Sequence, residues 1–264
     1  MANAFLLRPL PIVAAGASST ALGDPLYVGN DYAGVVWQSG VEAGPAIRVD
    51  LGADTAIDTL ILFGVEKAPA DARFVVSLAT AAQGFFTGVR WTDAAQPLYA
   101  GSQMPVSGRG VALWQAPAGA PALARYAQVA ASSAAGTMAL RCARLAIGRR
   151  IQLARNFTFG ATYGVRDLGS VDFSRQGVLL RARGAMLRTV ALSFANQRKE
   201  EVEAATRPLI EQIGNTGTVA LVTDPAADPQ RQNRCYFGPL VGDLNQVWRN
   251  AAAWEWKPSL VSLF

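Results

Sequence analysis

Three aspartates, Asp50, Asp54 and Asp58, crowd into the stretch "IRVDLGADTAIDTLILFG" at 47–64. Paired carboxylates hydrolyse glycosides when they flank the scissile bond, one as acid and the other as base or nucleophile. Closeness in sequence does not produce that arrangement. These three read as turn and strand-edge residues, and Asp224 and Asp228 in "TDPAADP" read the same way, because Asp-Pro and Asp-Gly neighbourhoods are turn chemistry. The chain has no histidine, which excludes Ser-His-Asp and Cys-His nucleophilic systems and the histidine-bearing zinc sites. The phosphate-cradling glycine loops of nucleotide binders are absent from the sequence. Its two cysteines, Cys142 and Cys235, lie too far apart for a CxxC cluster and read as free, buried thiols. No enzyme, cofactor or metal site is expected from these residues.

Aromatic side chains are the remaining candidates for binding. Tyr32 in "GNDYAG" and Phe85 and Phe86 in "GFFTG" are flanked by glycines, as loop-tip aromatics are, and Trp91 closes the second of these segments. Loops 29–34 and 84–91 are therefore the places to look for a glycan contact. Trp254 and Trp256 alternate with Glu255 and Lys257, which puts both indoles on one strand face. With Trp248 they are expected in the core or at a subunit interface, where tryptophan contributes most.

Several short strands must position these residues. Ile47, Val49 and Leu51 alternate with Arg48 and Asp50, Gly52–Thr55 has turn chemistry, and Ile57 to Phe63 form a second β-branched run. Further strand-like runs follow at "RFVVSLAT", "GVALWQA", "ARYAQVAA" and "ALRCARLAIG". That spacing predicts an antiparallel sandwich or barrel. Beyond about residue 149 the character changes. "GVLLRARGAMLRTVALSF" (177–194) reads as a hairpin reversing at Arg183-Gly184, with Met186, Arg188, Val190, Leu192 and Phe194 on one face. Then "NQRKEEVEAATRPLIEQIGNTG" predicts a helix capped by Asn196, with Val202, Ala205, Leu209, Ile210 and Ile213 as its apolar stripe. Pro208 should kink it or divide it in two. "TVALVTDP", "CYFGPL" and "AAWEWKPSLVSLF" read as closing strands. The expectation is a mainly β chain: an antiparallel jelly-roll sandwich over 1–148, then a β-barrel domain with one packed α-helix over 149–264.

At 264 residues with half of them hydrophobic, the chain can bury a sizeable core. No apolar run reaches membrane-spanning length, so no membrane insertion is expected. Arg8-Pro9 and Pro11 break the apolar start, which reads as mature sequence and not as a secretory signal. The net charge is +5 and the pI about 9.6, yet the basic residues are scattered, and no nucleic acid partner is expected. Nearly all are arginine; lysine occurs only at Lys67, Lys199 and Lys257. Arginine suits planar, paired contacts at interfaces.

The order "ASST", "GNDYAGVVWQS", "IRVDLG", "IDTLILFG" and "ARYAQVAASSAAGTMALRCARLAIG" resembles the discoidin-like, galactose-binding-type jelly rolls, also called coagulation-factor type C domains. The resemblance spans roughly residues 10 to 148 and implies a carbohydrate-module-like fold. Many members bind glycans through loops at one end of the sandwich, often with histidine, arginine and aromatic side chains. Here histidine is absent, and Arg141 and Cys142 stand where that family's last strand has an acidic residue. Calcium is common in the family, but its ligands do not map onto this sequence.

The second half is similar to a different family, the distal tail and baseplate proteins of long-tailed bacteriophages. The features that carry this likeness are the hairpin with "GAMLRTVALSF", the helix ending in "IEQIGNTG", the strand "VALVTDP", "YFGPL" and the closing "AWEWKPSL". It implies a structural virion protein at the tail tip, made in the bacterial cytoplasm. The protein would form a homo-oligomeric ring, hexameric or trimeric, between tail tube protein and baseplate hub protein, with the sandwich facing a host surface glycan. A free carbohydrate-binding protein with an accessory β-domain is the alternative.

Overall fold

A computed structural model describes residues 3–85, 90–250 and 253–264. It is mainly β, with antiparallel sheets and, among the described residues, one α-helical segment, and it divides into two compact units. The first holds the residues up to Gln152 together with Val219–Cys235, and the second holds Leu153–Thr218 with Tyr236–Phe264.

In the first unit, two antiparallel sheets enclose one apolar core, which is the jelly-roll arrangement. One sheet orders Ala14–Ala17, Ala46–Ala56, Leu123–Ser132, Arg73–Ala79 and Trp91–Thr92. The other places Thr59–Val65 between Arg144–Gly148 and Gly110–Gln115. Every residue of Thr59–Val65 is buried, which explains why this central strand reads as a continuous apolar run and not as an alternation. Along Ala46–Ala56, Ile47, Val49 and Leu51 point inward beside Phe74, Val76 and Trp114. The buried thiols are both here, and desolvation pushes that of Cys142 up to about 12.

The 47–64 stretch departs from the expectation in one respect. Its strands do not pair with each other: Ala46–Ala56 hydrogen-bonds to Leu123–Ser132, and Thr59–Val65 to Gly110–Gln115 and Arg144–Gly148. Gly52–Thr55 is not the turn. Gly52 takes a φ of 84°, its N–H donates to Asp50 Oδ1 at 2.7 Å, and the strand carries on through Ala56. The chain changes sheets at Ile57-Asp58, where Asp58 Oδ1 accepts from the backbone N–H of Arg150 at 2.8 Å. The strand Phe5–Leu7 lies between Arg150–Gln152 and Thr218–Val222. That pairing brings Val219–Cys235, from the far half of the sequence, into the first unit.

The second unit is built on a sheet in which Met186–Ala191 pairs with both Thr162–Asp167 and Ser259–Val261, the latter also pairing with Cys235–Val241. A smaller sheet orders Phe194–Gln197, Ala253–Trp256 and Gln246–Asn250. The helical segment runs Lys199–Ile213 and buries Val202, Thr206, Leu209 and Ile213. Pro208 does not split it. A π-turn at Val202–Thr206, in which the Arg207 N–H donates to the Val202 carbonyl, adjusts the ladder just ahead of the proline. Nor does Asn196 cap it. Asn196 has a φ of 57° and makes a bulge in Phe194–Gln197, a backbone region asparagine tolerates. The cap is Arg198, whose N–H donates to the Glu201 carboxylate at 3.1 Å.

Candidate functional sites

The aromatic candidates have different supports. Tyr32 is exposed on a loop that Arg144 holds. That arginine is buried; its Nη1 donates to the Val28 carbonyl at 3.2 Å and its Nε lies 3.2 Å from Asp31. Burial lowers the pKa of its guanidinium and Asp31 opposes the shift. Phe85 sits on a different segment, tied down by Ala81, whose N–H donates to Asp54 Oδ1 at 2.8 Å. Its ring meets Tyr126 edge-on at 5.2 Å. Arg144 and Tyr126 belong to opposite sheets, so the two loops are anchored by different strands. Phe86 lies outside the described residues. Trp91 is half-buried on the core, 6.1 Å from Trp114, whose indole N–H donates to Asp93 Oδ2 at 2.7 Å.

Each aspartate of the opening stretch has a structural partner. Asp50 receives two hydrogen bonds from Arg125, at 2.8 and 2.9 Å, and that arginine holds its pKa below the usual carboxylate value. Asp54 holds the Ala81 loop and Asp58 the crossover. Asp224 and Asp228 both pair with Arg234, at 3.1 and 3.2 Å. Among the described residues, no three Asp, Glu or Cys side chains are grouped to hold a metal ion.

The structure instead shows a cleft of about 510 Å³ in the first unit, walled by Tyr99, Pro97, Ala68, Met104, Ser102 and Arg231. Two glycines allow its close packing. A Cβ on Gly101 would strike the Pro229 carbonyl, and one on Gly110 would strike the Tyr99 ring. The Tyr99 hydroxyl donates to the Ala68 carbonyl at 2.8 Å. Burial, reinforced by Glu66, pushes that phenol above its ordinary value, so it stays a donor at neutral pH. Buried Gln232 stitches the floor: its amide nitrogen donates to Gly101 and its amide oxygen accepts from the Val111 N–H at 2.9 Å. The wall residues come from segments more than a hundred positions apart in the chain. Gly101 and Gly110 were the only local signal, and glycine by itself does not announce a cleft.

A second site is a surface. Thr162–Asp167 pairs with Met186–Ala191 at the end of the sheet, and Ser170–Phe173 pairs with Leu179–Ala182, forming a ribbon whose outer part is two-stranded. The reversal is at Ser174–Gly177, where the Gly177 N–H donates to the Ser174 carbonyl and Gly177 has a φ of 77°. It is not at Arg183-Gly184, as the sequence suggested. Those residues form a shoulder, where a Cβ on Gly184 would strike the backbone of Leu168 and Gly169. Apolar alternation marks a strand but does not name its partner, which here is 162–173. Tyr163, Val165, Leu168, Val171, Phe173, Leu179, Leu180 and Met186 are all exposed, Phe173 at 64% and Met186 at 72%.

The tryptophans divide. Trp256 is buried and stacks on Phe194 at 5.9 Å, whereas Trp254 stacks on exposed Trp248 at 5.8 Å with the Arg207 guanidinium 5.5 Å from its ring. No helix among the described residues is long and apolar enough to cross a membrane.

No protein-family model and no curated protein matches the chain. Solved structures resemble about half of it. One is chitosan-binding module 1 of a Paenibacillus sp. chitosanase/glucanase, at 15% identity and TM-score 0.40, covering 54% of this chain and 98% of that one. Another is the lectin domain of lectinolysin in complex with Lewis B antigen, at 19% identity and TM-score 0.37, covering 52% and 92%. A third is a family 32 carbohydrate-binding module of C. perfringens in complex with galactose, at 12% identity and TM-score 0.39, covering 53% and 97%.

Proposed function

We propose that this chain is a non-catalytic structural subunit that assembles through its 162–191 ribbon and displays the jelly roll as a recognition module. The exposed ribbon carries this reading. A lone pair of strands is marginally stable in water, and the outer pair Ser170–Phe173 and Leu179–Ala182 presents apolar side chains to solvent. A concentration of exposed large apolar side chains on one segment points to an interaction surface. Thr162–Asp167 also ends its sheet, leaving a row of backbone groups open to another chain.

The resemblance of the second half to distal tail proteins supplies the setting: a homo-oligomeric ring in the tail tip of a long-tailed phage, touching tail tube and baseplate hub. Light scattering and electron microscopy of the purified chain test it. A defined multiple of 27.9 kDa with ring-shaped particles is expected. A chain that stays a 27.9 kDa monomer at high concentration, with no ring in tail particles, sinks the reading.

A second reading, a free carbohydrate-binding protein, is favoured by the cleft beside Tyr99. A glycan array separates the two: saturable binding by a monomer supports the second, and silence from an assembled ring supports the first.

A further inference from the structure

Arg231 is the unusual member of the cleft wall. Its Nε donates to the Ala100 carbonyl at 2.5 Å and its Nη1 to the Pro225 carbonyl at 3.4 Å. Neutral carbonyls therefore hold it in place, and no carboxylate of the described residues pairs with it. The nearby acids are taken: Asp224 and Asp228 by Arg234, and Glu66 by Arg109 and Arg141 at 3.4 and 3.2 Å. A half-buried guanidinium with a fixed orientation and no counter-charge is preorganised for an anion, and its Nη2 edge is left to donate.

The rest of the wall says what the anion is attached to. Gln232 has both ends of its amide committed to backbone groups, so Arg231 and the Ser102 hydroxyl are the polar groups that remain for a ligand. On the same cleft wall, Tyr99 is locked by its hydroxyl bond and by Gly110 behind its ring, and Pro97 and Met104 add apolar surface. A volume of about 510 Å³ is of the order that encloses a small ligand. The net charge of +5 draws anions toward the surface.

We propose that this cleft binds a carboxylate carried on a compact body with an apolar face, specifically an acidic sugar unit. The carboxylate meets Arg231, and the C–H face of the ring lies on Tyr99 and Met104. The choice of a sugar rests on the glycan-recognition reading of the jelly roll; the anion site does not.

Calorimetric titration of the full chain with glucuronate, glucose and benzoate tests both parts. Glucuronate is expected to bind about tenfold or more tighter than glucose, the scale of one charge-assisted contact. Arg231→Gln should abolish the preference. Because that change also removes two backbone bonds, Ser102→Glu at the exposed rim is the second variant, placing a competing carboxylate in the cleft without touching the floor. It should weaken glucuronate by a similar factor with an unchanged melting temperature. Benzoate binding as tightly as glucuronate supports the anion site and overturns the sugar. Equal binding of glucose and glucuronate, no binding of either acid, or indifference to both variants overturns the anion site. Neutral glycans captured on an array by a chain indifferent to Arg231→Gln leave the jelly-roll reading standing and remove only this site.

Discussion

Ile47, Val49 and Leu51 on one strand, and Tyr163 and Val165, then Val171 and Phe173, on two successive strands of the ribbon, carry the same alternation of apolar with polar or small residues. The first set is buried against Phe74 and Trp114. The second set is exposed. Within the jelly roll a facing sheet removes the apolar side from water, at roughly 25 cal/mol per Å² of area buried. The ribbon has cross-strand pairs, such as Phe173 opposite Leu179, but most of its large apolar side chains remain exposed. One pattern thus builds a core where a second layer is supplied, and a contact surface where none is.

The sharpest way to break this contrast is to cut one large side chain from each region. Trp114→Ala should cost about 3–5 kcal/mol in denaturant unfolding, because it empties a fully buried site. Phe173→Ala should move monomer stability by less than about 0.5 kcal/mol. A large loss at Phe173 would make the ribbon part of the core. Its effect belongs in association: replacing Val171 and Phe173 by lysine should weaken the assembly about thirtyfold or more, as loss of an interface anchor does, read by analytical ultracentrifugation.

Smaller effects test how the sandwich holds its loops. Arg144→Ala removes the guanidinium bond to Val28 and the pairing with Asp31. It should lower stability by about 2 kcal/mol in thermal or chemical unfolding, the worth of a charged hydrogen bond that is largely buried.

The Asp50–Arg125 pair gives a pH signature. Arg125 depresses the Asp50 carboxyl in the folded state, so its contribution is present above the unfolded value of about 3.9 and fades as pH falls through the lower folded value. Asp50→Asn should cost about 1 kcal/mol at neutral pH and flatten the stability loss below about pH 4, followed by urea unfolding across pH. Least of all, Lys257→Ala, which breaks an exposed contact to Glu255 at 3.2 Å, should change stability by less than about 0.5 kcal/mol.

Much of the fold was legible because strand periodicity is a local property. The runs "IRVDLG", "TLILFGV", "RFVVSLAT" and "GVALWQA" fall on strands of the sandwich, "ALRCARLAIG" divides into Arg141–Cys142 and Arg144–Gly148, and the stripe of Val202, Leu209 and Ile213 is the buried face of the helix. Pairing was not legible. Gly52 looks like a turn residue, yet its left-handed φ is absorbed inside a strand. Arg183-Gly184 looks like a hairpin tip, yet the partner of 179–182 lies upstream and the tip is at Ser174–Gly177. A turn signal reports what a backbone can do, while register depends on which distant strand arrives beside it.

The candidate sites divide along the same line. Tyr32 and Phe85 were found from flanking glycines and are exposed as loop aromatics are, but different strands anchor their loops. Ala68, Tyr99 and Arg231 had no shared motif to betray them. The sequence by itself determined a histidine-free, mainly β chain with buried thiols, an apolar sandwich core and one amphipathic helix, because composition and short-range periodicity suffice for those. Only the tertiary structure decided that Arg231 and Tyr99 line one cleft and that most of the large apolar side chains of 162–186 are exposed among the described residues. Both depend on contacts between residues far apart in the sequence, and nothing in local periodicity encodes which distant segment will meet which.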